Sequence, residues 1–153
     1  MEFESDVQKQ VYEKVSGYMR DIFGEQARAR PDRPVHLIQV GSTLTHVVVA
    51  PWGDDESVVM VRAYVVYQAD LVPELLLFLL KENDSKRFGA FGVDRDGDIF
   101  FEHSIVGSTC DKAELKASVM AVVWTADQYD EQITQRWGGM REVDRFEQMK
   151  AKQ

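Results

Sequence analysis

The sequence predicts a single α+β domain, one antiparallel sheet packed with helices, in the order α-β-β-β-α-β-β-α. Three observations predict it. Apolar residues recur at helical spacing near both ends and in the middle of the chain, whereas residues 34–68 and 88–106 are dense in the valine, isoleucine and aromatic residues that suit a pleated surface. The β-rich runs are joined by loops of hairpin length, and no strand–helix–strand alternation forces parallel pairing. The chain has 153 residues, 44% of them hydrophobic, and a chain of that length buries about 70% of its unfolded surface, enough for one core. The domain spans 1–153, with an N-terminal helix and connector over 1–33 and a tail helix over 138–153.

Each element has a local cause. Ser5 followed by Gln8 is a capping box that opens the first helix. Val7, Val11, Val15, Tyr18, Met19 and Ile22 then fall on one stripe, and Gly24 suits the position just past the helix end. The stretch ARARPDRP, from Ala27 to Pro34, sets three arginines among two prolines and reads as an extended connector with solvated charge. Runs over 34–40, 44–52 and 57–68, separated by Gly41-Ser42-Thr43 and Gly53-Asp54-Asp55-Glu56, form a three-stranded meander. In DLVPELLLFLLKEND, Pro73 fits a first helical turn and Glu74 sits near the positive helix end. That helix stops around Asn83-Asp84, and two short strands, 88–93 and 99–106, follow it. Asp111 with Glu114 is a second capping box, and the long helix it opens breaks at Trp137-Gly138-Gly139.

The motifs that suggest chemistry are few. Asp94-Arg95-Asp96-Gly97-Asp98 invites a calcium-loop reading, but placing Gly97 at loop position six puts Gly92 first and His103 twelfth, where carboxylates are required. Asp96-Gly97 is instead the dipeptide of a primed hairpin turn. Cys110, at a helix N-terminus, and His103 are candidates for a nucleophilic pair. His103 shares its strand face with Ile99, Phe101 and Ile105, however, and no third group orients it. Nucleophile-elbow, metalloprotease, P-loop and dinucleotide signatures are missing, and His36, His46 and His103 fall on separate strands without ligand spacing. The expectation is therefore a non-enzyme with no catalytic residue, cofactor or metal.

Bulk properties exclude further classes. A net charge of −8 argues against nucleic acid, which needs a positive surface. No run of 18 apolar residues spans a membrane, and MEFESDVQKQ lacks the apolar region of a signal peptide. A lone cysteine fits a reducing cytoplasm.

The informative feature is surplus apolar surface. On the long helix Leu115, Val119, Val122, Ala126, Tyr129 and Ile133 form the core stripe, yet Ala117, Met120, Ala121 and Trp124 stand on the opposite side. On the leucine-rich helix, Val72, Leu76, Leu79 and Leu80 are assigned to the core face, which leaves Leu75, Leu77 and Phe78 over. The tail, with Met140, Val143, Phe146 and Met149, is the one segment able to fold back over these faces. Contiguous exposed apolar residues mark an interface, and methionine and tryptophan suit one. The expected function is a protein-binding module, chaperone-like or adaptor-like, holding a partner segment and forming a homodimer. The alternatives are a small regulator or enzyme with Cys110 reactive in a sheet–helix pocket, or a structural subunit of a larger assembly.

Residues 70–137 resemble the YbjN-like family of the type III secretion chaperone-like, CesT-type fold. The resemblance lies in the leucine-rich helix, the strand with Phe91-Gly92, the Asp94-Arg95-Asp96-Gly97 turn, the strand after it, and Asp127-Gln128-Tyr129-Asp130. Arg136-Trp137-Gly138-Gly139 resembles an uncharacterised cyanobacterial and chloroplast-lineage subgroup. The resemblance implies an α+β domain, commonly dimeric, whose secretion-chaperone members hold client segments on apolar patches; it implies no catalytic residues.

Overall fold

Helix α1 (Asp6–Phe23) starts where the sequence places it: the Ser5 hydroxyl accepts from the Gln8 N–H at 3.1 Å. The reciprocal arm is displaced by one residue, because the Gln8 side chain accepts from the Glu4 N–H and donates to the Val49 carbonyl at 3.0 Å. Capping the helix thus also ties it to the sheet. This computed structural model describes residues 1–152.

The arginine-rich connector is extended, as expected, but it is not free. Ala27–Ala29 forms β1, an edge strand paired antiparallel with β2 (Val35–Val40). The Asp32 carboxylate closes the turn between them by accepting from Arg30 and Arg33, each at 3.1 Å. Three residues are too few for a periodic signal, and Pro31 and Pro34 read as a break.

The meander continues through β3 (Thr43–Trp52) and β4 (Glu56–Val66). Helix α2 (Pro73–Asp84) then carries the chain across, so that β6 (Ile99–Val106), rather than β5 (Ala90–Val93), pairs with β4. The sheet order is β1-β2-β3-β4-β6-β5, antiparallel throughout.

Period-two alternation decides the core. Val47, Val49, Val59, Val61, Ala63, Phe101 and Ile105 face α1 and the long helix α3 (Lys112–Trp137). The six core positions expected on α3 are all buried, and its first turn is capped by the Asp111 carboxylate accepting from the Glu114 N–H at 2.7 Å. A bulge between Tyr64 and Val66 buries Val65 and Val66 together and brings Tyr67 beside Tyr64, rings stacked at 5.2 Å.

After α3 the chain turns on Gly138 and Gly139, at φ 71° and 91°. Tyr67 and Met140 exchange two backbone hydrogen bonds of 2.8 Å, and α4 (Glu142–Ala151) folds back. It packs against β3 and β4, not over the outer sides of α2 and α3. No helix among the described residues is long and apolar enough to cross a membrane.

Candidate protein-binding surfaces

The leucine-rich helix is rotated relative to the sequence expectation. Leu75 and Leu79 are its buried residues, while Leu76, Leu77 and Leu80 are 38%, 52% and 67% exposed. Leu75 therefore leaves the candidate surface, and Leu76 and Leu80 leave the core face. Phe78 is only partly exposed. Its ring packs 5.2 Å from Trp137 and 6.2 Å from Tyr129, with the Arg136 guanidinium 5.6 Å above it. The physical reason is that residues 75–80 are apolar without exception, so periodicity cannot fix the helix rotation. Aromatic contacts with the end of α3 fix it instead, with Glu74 accepting from Arg136 at 2.9 Å.

On α3, Trp124 is 65% exposed, Ala117 is exposed, and Met120 and Ala121 are partly so. The tail was the segment able to cover these residues, and it lies elsewhere. Trp124 with Met120, and Leu77 with Leu76 and Leu80, are left as apolar surface on two helices.

A larger apolar area lies on the sheet itself. The strand residues pointing away from α1 and α3 include Leu37, Leu44, Val48, Ala50, Val58, Met60, Tyr64, Phe100 and Val106. None of these is buried, and neighbouring strands set them side by side: Val48 opposite Met60, Ala50 opposite Val58, Val58 opposite Val106. The polar members include Gln39, opposite Leu44, Ser104, opposite Met60, and His46, Arg62 and Glu102, and Arg62 donates to Glu102 at 2.5 Å while lying 3.9 Å over the Phe100 ring. The two ends of this reverse face differ. Around Leu44, His46, Tyr64 and Tyr67 it is overlain by α4, whereas around Val48, Ala50, Val58 and Met60 it is open.

Sequence reasoning missed this face, although a signal for it exists. The run SVVMVRAYVV is nearly continuous in apolar residues, where a strand with one wet face alternates. Such a run states that both faces of the strand meet something apolar.

The other candidates are structural. Asp94 Oδ1 accepts from the N–H groups of Asp96 and Asp98, and its Oδ2 accepts from the Tyr64 hydroxyl. The turn is not the expected primed one: Gly97 sits at φ 85° but Asp96 is not at positive φ, and the Gly97 N–H donates to the Asp94 carbonyl at 3.1 Å, which centres the turn on Arg95-Asp96. The acidic cluster is thus spent on its own hairpin turn. His103 Nδ1 meets the Ser118 hydroxyl at 2.7 Å, and burial lowers its pKa. Cys110 is buried, and burial pushes its thiol up to about 11. A helix N-terminus activates a cysteine only when the sulfur is accessible, so desolvation wins and the thiol stays neutral.

Comparison with known proteins places this geometry. Residues 9–145 match the sequence profile of a family described as "T3SS (YopN, CesT) and YbjN peptide-binding chaperone 1". The chain belongs to this family. Solved structures share the fold: a chain of the HopA1–SchA chaperone–effector complex superposes with a TM-score of 0.63 at 12% identity, over 83% of this chain and 98% of the other. A chain of the ExsC–ExsE complex gives 0.63 and 12%, over 84% and 97%. A chain from the complex of the Yersinia pestis type III secretion chaperone SycH with a fragment of YscM2 gives 0.53 and 12%, over 77% and 98%. Among curated proteins no sequence match is found. At 12% identity these likenesses establish the family fold and leave the partner open.

Proposed function

We propose that this family member is a non-enzymatic chaperone-like or adaptor-like protein that holds an apolar segment of a partner protein against the reverse face of its sheet. One observation carries the reading: Val48, Ala50, Val58, Met60 and Val106 form a contiguous apolar patch on an unshielded stretch of strands. The family's description as peptide-binding chaperones supports it. Extended backbone suits such a face, because side chains at every second position meet the sheet together.

The chain acts in the cytoplasm as a homodimer. The outer sides of its helices serve the second copy: Leu76, Leu77 and Leu80 from α2, and Ala117, Met120, Ala121 and Trp124 from α3. Tryptophan supplies a rigid anchor and methionine an adaptable rim.

Two measurements test the reading. Light scattering follows aggregation of reduced insulin B chain with stoichiometric protein; wild type suppresses it, and Val48→Asp with Met60→Asp abolishes suppression while circular dichroism is unchanged. Undiminished suppression by that folded variant refutes the binding face. Sedimentation velocity of Trp124→Glu and Leu80→Glu reads the dimer: both fold and sediment as monomers, whereas a monomeric wild type refutes the second copy.

A further inference from the structure

We propose that α4 is a built-in, exchangeable occupant of the Leu44, His46, Tyr64 and Tyr67 end of the reverse sheet face, beside the open patch, and that what replaces it there is an amphipathic helix carrying an aromatic residue, a second apolar residue three positions on, and a neighbouring basic residue. This rests on the reading of the face given above and adds what competes for it.

Little of α4 is buried. Glu142, Arg145, Phe146 and Met149 recur at three- and four-residue steps and line one groove with Leu44, His46, Tyr64 and Tyr67. Phe146 is nevertheless 41% exposed and Met149 56%, and none of the residues of α4 is buried. Helix α1, by contrast, buries Val11, Val15 and Met19 against the same sheet's other face. Open grooves of about 390 and 460 Å³ flank the contact, the larger between Phe146 and Leu37, Gln39 and Leu44. A helix resting on apolar strands without closing over them is held loosely.

It is also held from one end. The Tyr67–Met140 backbone pair fixes the chain just before α4, and the Arg145 guanidinium lies 4.4 Å over the Tyr67 ring. A tether of this kind keeps a detached helix at roughly millimolar effective concentration beside its site. Weak contacts then suffice to keep that end of the face covered, and a partner helix must outcompete them. Charge names the partner's chemistry: Arg145 shares its groove with Asp94, Asp96 and Asp98, so the incoming helix needs a basic residue in its place.

The probe is a fluorescein-labelled peptide of residues 140–152, measured by anisotropy against the full chain. It binds the double variant Phe146→Asp/Met149→Asp at least tenfold more tightly than wild type, and Leu44→Asp added to that variant abolishes binding. Equal affinity for both chains, or binding to neither, overturns the proposal. Should the double variant not fold, amide exchange of the wild-type chain decides: α4 amides open at least a hundredfold more often than those of β3 and β4, and protection equal to the sheet's overturns it. A chain that suppresses insulin aggregation while failing both measurements keeps its chaperone role and loses the exchangeable helix.

Discussion

Gly138 and Gly139 are adjacent, both lie at positive φ, and they should respond very differently to alanine. At Gly138, φ is 71° with ψ −161°, a region essentially reserved for glycine, and an added Cβ meets nothing within 4 Å, so Gly138→Ala carries only that backbone penalty, about 1–3 kcal/mol. At Gly139, φ is 91° and a Cβ lands 2.6 Å from the Tyr67 carbonyl oxygen, 2.6 Å from Val66 Cγ1 and 2.9 Å from the Ala69 N. Two of those atoms are backbone and the third is a fully buried side chain, so none can yield locally. Relief requires breaking the two Tyr67–Met140 hydrogen bonds, at about 1 kcal/mol each, beyond the same φ penalty. The excess of Gly139→Ala over Gly138→Ala is then about 2 kcal/mol, capped by the free energy that docks the tail, because the tail can let go. By amide exchange, about 2 kcal/mol is roughly a 30-fold rise in the opening of α4. In urea the excess lowers the midpoint by about 1 M for an m-value of about 2 kcal/mol/M. Matching α4 exchange in the two variants would refute the steric argument, since the glycines would then differ in nothing but position.

Two further outcomes follow from buried titratable groups. Native Cys110 resists a disulfide reagent at pH 8 and reacts only on unfolding, because burial holds its thiol near a pKa of about 11; stoichiometric reaction in the native protein would show that the site opens. Burial lowers the pKa of His36, His46 and His103 below the ordinary 6.5, so as pH falls through that value the unfolded chain takes up protons that the folded chain refuses. Stability is therefore full well above pH 6.5 and declines as pH falls through 6.5 toward the lower folded values, read as a urea midpoint that drops on acidification, and a flat profile would show the three rings to be solvated. His36 shows why protons are refused: Ser16 donates its hydroxyl proton to the Tyr12 carbonyl at 2.7 Å, so His36 Nε2–H donates to Ser16, and buried Nδ1 has no acceptor for a second proton.

Much of the fold was legible because its signals are local. Ser5 and Asp111 start helices by accepting backbone N–H groups three residues on, Gly97 supplies the positive φ of a hairpin turn, and the α3 stripe from Leu115 to Ile133 repeats at a period that only one helix face satisfies. Where every residue of a segment is apolar the signal vanishes. Residues 75–80 therefore left the rotation of α2 open, and Leu75, expected outside, is inside. The candidate site was less legible than the fold. Trp124 and Leu77 are exposed as the helical pattern predicts, but the larger reverse face of the sheet was overlooked, its only trace being the missing alternation in β4.

By itself the sequence determined the four helices and the five longer strands, that they form one α+β domain, and that more apolar surface exists than one core consumes; the three-residue β1 escaped it. Only the tertiary structure decided the pairing of β6 with β4, the rotation of α2, and the surface on which the tail rests. The reason is physical: caps, turns and periodicity act within a few residues, whereas strand order and helix rotation are settled by contacts between residues far apart in the chain, such as Phe78 against Trp137 and Tyr67 against Met140.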